Sequence, residues 1–378
     1  MIRYCPYLPA LVAHALRETR RGPVVHDAYN IITGDKTMSE TNQQWLLKQR
    51  PTGMLGPEHF DRVESPMPQP DLAAGEVLVK TLMLGFDPAM RGWVQDEPSY
   101  LPPVALGDPM RASGVGQVIA SQNSELPVGT LVQGLLDWQE YSIGNKAGGM
   151  PLQPLPAGTP PGMALSVFGS TSLTAYFGLL DVGQPQAGDT VLVSGAAGAT
   201  GSVVAQIARI KGCKVVGIAG GEEKCNWLRD ACKIEHVIDY KAENIDERIG
   251  QLCPEGINVF FDNVGGDTLE IGIGHMADFG RIALCGAISG YNDETPAPGP
   301  HNLMLLTTRR IRMQGFIVID FLDRAEEAIG QLMEWVMAGE IAWREDVQEG
   351  FDNIPATFQR LFDGRNVGKQ LLKLADPE

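Results

Sequence analysis

Three features of this sequence predict an α/β fold, a doubly wound parallel sheet joined to a smaller β-rich unit. Residues 171 to about 340 alternate strand-like and helix-like segments, the order that lays parallel strands side by side with helices on both faces. Within them, Thr190 to Gly201 (TVLVSGAAGATG) reads as a buried strand running into a glycine turn that opens a helix. Before them, Asn42 to Val182 is rich in strand-forming runs broken by Pro and Gly, which suits a small, irregular β-barrel.

Taken in order, the first 38 residues differ in character from the rest of the chain. Arg17, Arg20 and Arg21 cluster there, and Pro6 and Pro9 interrupt the apolar run that a signal segment would need. They are expected to form an N-terminal extension outside the fold, with Met38 an alternative start. Residues 39–168 are expected to form the barrel unit. Glu76 to Leu84, Gly114 to Ala120 and Gly129 to Gln133 are its clearest strands, and the turn Gly85 to Gly92 (GFDPAMRG) faces a cleft or is an ordinary Asp-Pro turn.

Residues 169–340 are expected to bind a nucleotide. After the strand at Thr190, Gly195, Gly198 and Gly201 recur every third residue, and Val203, Val204, Ile207, Ala208 and Ile210 come next at helical spacing up to Gly212. Free N–H groups and the positive end of that helix face a phosphate, and the missing side chains let a pyrophosphate approach. Lys214 to Ala219 then supplies the next strand at βαβ distance. Further strands are predicted at His236–Tyr240, Asn258–Asn263, Arg281–Cys285 and Arg312–Ile319, with a helix over Phe321–Ala338. Residues 341–378 are expected to return to the barrel.

Composition excludes other classes. A net charge of −16 argues against nucleic acid or anionic lipid as partner. No apolar run nears the roughly 20 residues that span a bilayer. Six Cys without C-x-x-C pairs or regular spacing suit free thiols in a reducing cytoplasm.

Five tracts together resemble the zinc-free medium-chain dehydrogenase/reductases, in the branch of the prostaglandin, 2-alkenal and curcumin reductases. They are GAAGATGS (195–202), FDNVGG (261–266), CGAISGYN (285–292), GFIV (315–318) and GRNVGKQLLKL (364–374). The resemblance spans residues 39–376 and implies a GroES-like barrel, a Rossmann domain and NADPH. It implies a pyrophosphate site at Gly198, Ala199, Thr200 and Gly201, and an adenosine 2′-phosphate near Lys224 and Tyr240. Asn263, Cys285, Gly286, Ala287, Ile288, Ser289 and Tyr291 would line the cleft towards the nicotinamide, completed by Phe316, Ile317, Val318 and Asn366. Many relatives read Asp-Pro-Tyr-Met-Arg in the barrel turn, whereas Ala89 replaces that ring here, so the substrate pocket is expected to be reshaped. Tyr100 is the candidate replacement.

Residues 39–212 contain no Cys, and their only His is His59. A catalytic Zn needs three protein ligands and a structural one four, so no metal site is expected. A substrate with its own electron sink is then favoured: hydride from NADPH adds to the β-carbon of an α,β-unsaturated carbonyl, and the charge spreads onto its oxygen as an enolate. The expected activity is reduction of enones or enals, with NADPH quinone reduction and a non-catalytic NADPH sensor as competitors.

Tyr291 is the expected donor, since it follows a strand at the carboxyl edge of the sheet and a Tyr hydroxyl stabilises an enolate or relays a proton. Tyr176 is the rival aromatic, with neighbours that suggest packing. For the coenzyme, Ala219-Gly220-Gly221 leaves room for a phosphate and Lys224 comes shortly after, although Glu222 or Glu223 would be the acid of an NAD-specific unit. Phe316 to Ile319 is expected to be an edge strand that pairs with its copy in a homodimer.

Overall fold

The computed structural model describes residues 41–295 and 297–378, so the expectations for the first 38 residues lie outside the described residues. The chain opens with β1 (Thr41–Leu47) and β2 (Phe60–Pro66), an antiparallel pair. β3 (Val77–Phe86) is the spine of the barrel unit, apolar and buried over most of its length. Around it lie β4 (Ser113–Ala120), β5 (Leu131–Leu135), β6 (Tyr141–Gly144) and the two-residue β7 (Gln153–Pro154). β3 pairs antiparallel with β4 and, over its first four residues, with β6. The turn after β3 continues into a single helical turn, Met90–Trp93.

The second unit is a six-stranded parallel sheet. Its strands are β8 (Thr190–Val193), β9 (Lys214–Ala219), β10 (His236–Asp239), β11 (Ile257–Asp262), β12 (Met276–Leu284) and β13 (Arg312–Gly315). They lie in the order β10-β9-β8-β11-β12-β13, the doubly wound order whose direction reverses between β8 and β11. The helix Ala199–Ile210 covers one face with Val203, Val204 and Ile207, joined there by Leu332 and Trp335. Ile249, Phe260 and Ile273 fill the other face. Such two-sided burial explains why these strands read as continuous apolar runs.

Several boundaries shift by a residue or two, β12 starts at Met276 rather than Arg281, and two further differences bear on the cleft. The predicted strand Arg312–Ile319 ends at Gly315, because Phe316 turns inward and meets the Phe261 ring edge-on, with centroids 6.0 Å apart. Val318–Arg324 then forms a 3-10 turn whose Phe321 stacks on Phe177 at 5.0 Å, so the helix starts at Ala325 rather than Phe321. Phe316 to Ile319 is therefore not an edge strand; β13 occupies that edge.

The last residues return to the first unit. β14 (Glu345–Glu349) and β15 (Lys369–Lys373) run parallel, and β15 pairs antiparallel with β3, giving the order β14-β15-β3-β4-β5-β7. Phe358 enters the barrel core, 5.7 Å edge-on from the fully buried Trp138, which also meets Phe60 and Phe86. Among the described residues no helix is long and apolar enough to cross a membrane.

Candidate active site

The site is built where the sheet order reverses. The glycine turn after β8 brings its chain so close to the next helix that side chains do not fit. A Cβ on Gly201 would stand 2.4 Å from the Gly195 carbonyl oxygen. Gly198 caps the helix in an extended conformation without a capping side chain, so the first-turn N–H groups at Ala199, Thr200 and Gly201 face outward for an anion. The barrel unit reaches this loop directly: Gly368, at φ +74, donates its N–H to the Ala197 carbonyl at 3.0 Å. A Cβ there would fall 2.1 Å from the Arg344 carbonyl oxygen, so only glycine allows the contact.

Beside the loop, the ends of β8 and β11 are locked by one buried carboxylate. Asp262 accepts from the Ser194 hydroxyl at 2.6 Å and from the N–H groups of Val264 and Gly265. Burial raises its pKa, and these bonds oppose the shift without cancelling it. Asn263 donates through Nδ2 to the Ser194 carbonyl at 2.7 Å. Cys285 and Gly286 then donate their N–H groups to the Asp262 carbonyl, Ile288 to Asn263 and Ser289 to Val264, so the whole Cys285–Ser289 segment is laid along the same cleft. Burial, with the Asp262 charge behind it, pushes the Cys285 thiol up to about 12, which keeps it protonated and inert.

At the outer end, Gly221 (φ +92) gives its N–H to Asp239 at 2.8 Å, and the Tyr240 ring lies against Gly220. Lys224 reaches back to the Gly364 carbonyl at 2.8 Å. Burial and then the neighbouring Lys241 lower its pKa, while Glu223 and Asp346 oppose the shift. Glu223, a candidate ribose-binding acid, is paired with Arg344 at 2.7 Å. Asn366 turns back on its own loop and donates to the Gly368 carbonyl at 3.1 Å. Phe316 and Val318 pack against the core of the nucleotide unit, with Ile317 partly buried between them.

Two phenols, Tyr291 and Tyr100, lie within electrostatic range of each other. Tyr291 comes after a 3-10 turn, Ile288–Gly290, beyond the end of β12, and its hydroxyl accepts the Ala287 N–H at 3.1 Å. Burial raises its pKa, and the Ala287 N–H bond draws it part of the way back. Tyr100 is 42% exposed and accepts from Trp93 Nε1 at 3.0 Å, with the Arg111 guanidinium over the Trp93 ring. Ala89 is exposed on the barrel turn that follows β3. By contrast Tyr176 is buried, 5.2 Å edge-on from Phe177, and donates to Glu327 at 3.2 Å, which commits it to packing.

Sequence reading missed Arg91 and Asn292, which join the two units, as well as the Asp87–Lys369 pair inside the barrel unit and Lys241 beside Lys224. Arg91, Asn292, Asp87, Lys369 and Lys241 all lie in tracts already singled out or beside them, yet none has a motif that announces a long-range partner. Asp262 lay inside FDNVGG, and its burial at a strand end was the available signal. His59 sits at a short turn with Nδ1 3.1 Å from the Gly56 backbone nitrogen. Among the described residues no group of three or more His, Cys, Asp or Glu is arranged to hold a metal ion.

A parallel sheet with a glycine turn at its switch point, joined to a barrel unit that reaches that turn, is the arrangement of a dinucleotide-dependent oxidoreductase. Two family descriptions match, an N-terminal domain of oxidoreductase over residues 43–152 and a zinc-binding dehydrogenase over residues 199–337. The chain is 45% identical over 344 residues to YfmJ of Bacillus subtilis, assigned as an NADP-dependent oxidoreductase, covering 90% of this chain and 100% of that protein. It is 38% identical over 341 residues to the NADPH-dependent curcumin reductase of Escherichia coli, covering 89% and 98%. The crystal structure of CurA from Vibrio vulnificus in complex with NADPH superposes with a TM-score of 0.83 at 38% identity, covering 89% of this chain and 100% of that one. The protein belongs to the zinc-free branch of the medium-chain dehydrogenase/reductases.

Proposed function

We propose that this enzyme uses NADPH to reduce the activated C=C bond of α,β-unsaturated carbonyl compounds. NADPH is its coenzyme. The residues fit that group. Ala199, Thr200 and Gly201 would take the pyrophosphate on their N–H groups, and Lys224, Lys241 and Tyr240 the 2′-phosphate. Gly221, Asn263, Cys285–Ser289, Phe316–Val318 and Asn366 would line the remainder.

The Tyr291 hydroxyl carries the reading. It accepts the Ala287 N–H, which leaves its own proton free to donate. Its raised pKa keeps that proton in place at neutral pH. When bound, NADPH supplies a hydride, and an enone takes it at the β-carbon. Negative charge then develops on the carbonyl oxygen, where a phenol donor stabilises it without ionising. Protonation at the α-carbon completes the saturated product. The raised pKa of the half-buried Cys285 thiol supports this reading by keeping a competing nucleophile protonated beside an electrophilic substrate. Tyr100 and Trp93 would hold the rest of the substrate, with Ala89 leaving space where relatives carry a ring.

The test is a panel of enones, enals and quinones monitored at 340 nm with product analysis. Enone-dependent oxidation of NADPH to give saturated ketones is expected. Turnover confined to quinones would make the enzyme a quinone reductase, and NADPH binding without turnover would make it a sensor.

A further inference from the structure

The barrel turn Asp87–Arg91 is tied at one end to β15 of its own sheet and at the other to the nucleotide side of the cleft. At one end Asp87 pairs with Lys369 at 2.5 Å, a lysine only 3% exposed. Lys369 directly succeeds Gly368, whose N–H docks on the Ala197 carbonyl of the glycine turn. At the other end Arg91, 2% exposed, donates through Nε to Asn292 Oδ1 at 2.9 Å. Its Nη2 reaches the Pro51 and Gly53 carbonyls at 3.3 and 3.0 Å, and its Nη1 is buried without a partner. Among the described residues no carboxylate pairs with this guanidinium. A buried cation held only by neutral oxygens is a costly arrangement, and an alkyl side chain would fill the space more cheaply.

What the charge achieves is a link. Asn292 is the neighbour of Tyr291, and among the described residues its side chain has no hydrogen bond besides that to Arg91. We propose that Arg91 is a positioning residue: through Asn292 it clamps the Tyr291 turn to the substrate-facing turn of the barrel, so that the phenol and the wall carrying Ala89 are set as one unit. This rests on the reading of Tyr291 as the donor. Misplacing a donor by a fraction of an ångström weakens its bond to a developing oxyanion far more than it disturbs ground-state binding. The clamp therefore acts on the rate and not on the coenzyme.

The experiment uses the intact enzyme, Asn292→Ala and Asn292→Asp. Asn292→Ala removes the acceptor and leaves the Pro51 and Gly53 bonds of Arg91 untouched; Asn292→Asp keeps an acceptor for Nε. Three quantities are read: single-turnover oxidation of prebound NADPH by an enone, the NADPH dissociation constant by fluorescence, and amide exchange over residues 287–292. In Asn292→Ala the single-turnover rate should fall about ten-fold, in the range for a displaced donor. NADPH affinity should stay within about two-fold, exchange should quicken over 287–292, and Asn292→Asp should recover most of the rate. Unchanged rate and exchange in Asn292→Ala would overturn the proposal. So would equal losses in both variants accompanied by weakened NADPH binding, since that is a general structural defect. If the wild type reduces no enone, the functional reading fails, and the exchange measurement still decides the clamp: faster exchange in Asn292→Ala upholds it, and unchanged exchange overturns it.

Discussion

Tyr291 concentrates the chemistry in one hydroxyl. Tyr291→Phe keeps the ring and removes the donor, so the turnover number for an enone should fall roughly ten- to a thousand-fold with NADPH affinity barely changed. Because burial raises its pKa, the donor is intact below the ordinary phenol value, and activity should decline only on the alkaline side; a pH profile of the chemical step reads this. Lys224 makes the second residue-scale prediction. It stands beside Lys241, and Glu223 is held by Arg344, so Lys224→Ala should raise the Michaelis constant for NADPH far more than that for NADH. Steady-state kinetics with both coenzymes checks it. Tyr291 was legible in sequence because it comes after a strand that had to end at the ligand-binding edge. The Arg344 partner of Glu223, distant in the chain, was not.

Among the elements, the glycine turn and the sheet strands were legible because two-sided burial and close backbone approach leave strong marks in composition. Arg312–Ile319 was not, since an apolar run looks the same whether it continues a strand or turns Phe316 into the core. The turn after β5 adds a prediction of its own. Asp137 sits there at φ +59, beside a polar cavity of about 500 Å³ that Arg111 and Lys146 also line. Burial pushes its pKa to about 6 against an ordinary value of 3.8. The folded chain therefore holds a proton that the unfolded chain has lost between about pH 4 and pH 6. Its contribution to stability is full below pH 4 and is lost as pH rises through 6. Asn tolerates the left-handed conformation and carries no charge. Asp137→Asn should thus raise the melting temperature by a few degrees at pH 8 and leave it little changed at pH 4, as calorimetry would record.

At the scale of the whole molecule, the return of β15 to the barrel makes a two-unit enzyme whose cleft is closed by side chains from both. One edge of the parallel sheet is β13, a short strand beside β12, and the other is β10. We propose that β13 pairs with its copy across a two-fold axis, so light scattering should give twice 40.9 kDa; a single-chain mass at micromolar concentration would contradict that. The order of the units was readable because the alternation of strands and helices stops where the barrel resumes, whereas the contacts between units depend on single side chains with no period. The central claim is hydride delivery to a conjugated carbon with protonation next to the carbonyl. Reduction of an enone with NADPH deuterated at the transferable position, with NMR of the product, tests it most directly. The label should appear on the β-carbon and a solvent proton on the α-carbon of a saturated ketone, whereas label on the carbonyl carbon of an alcohol would contradict the account.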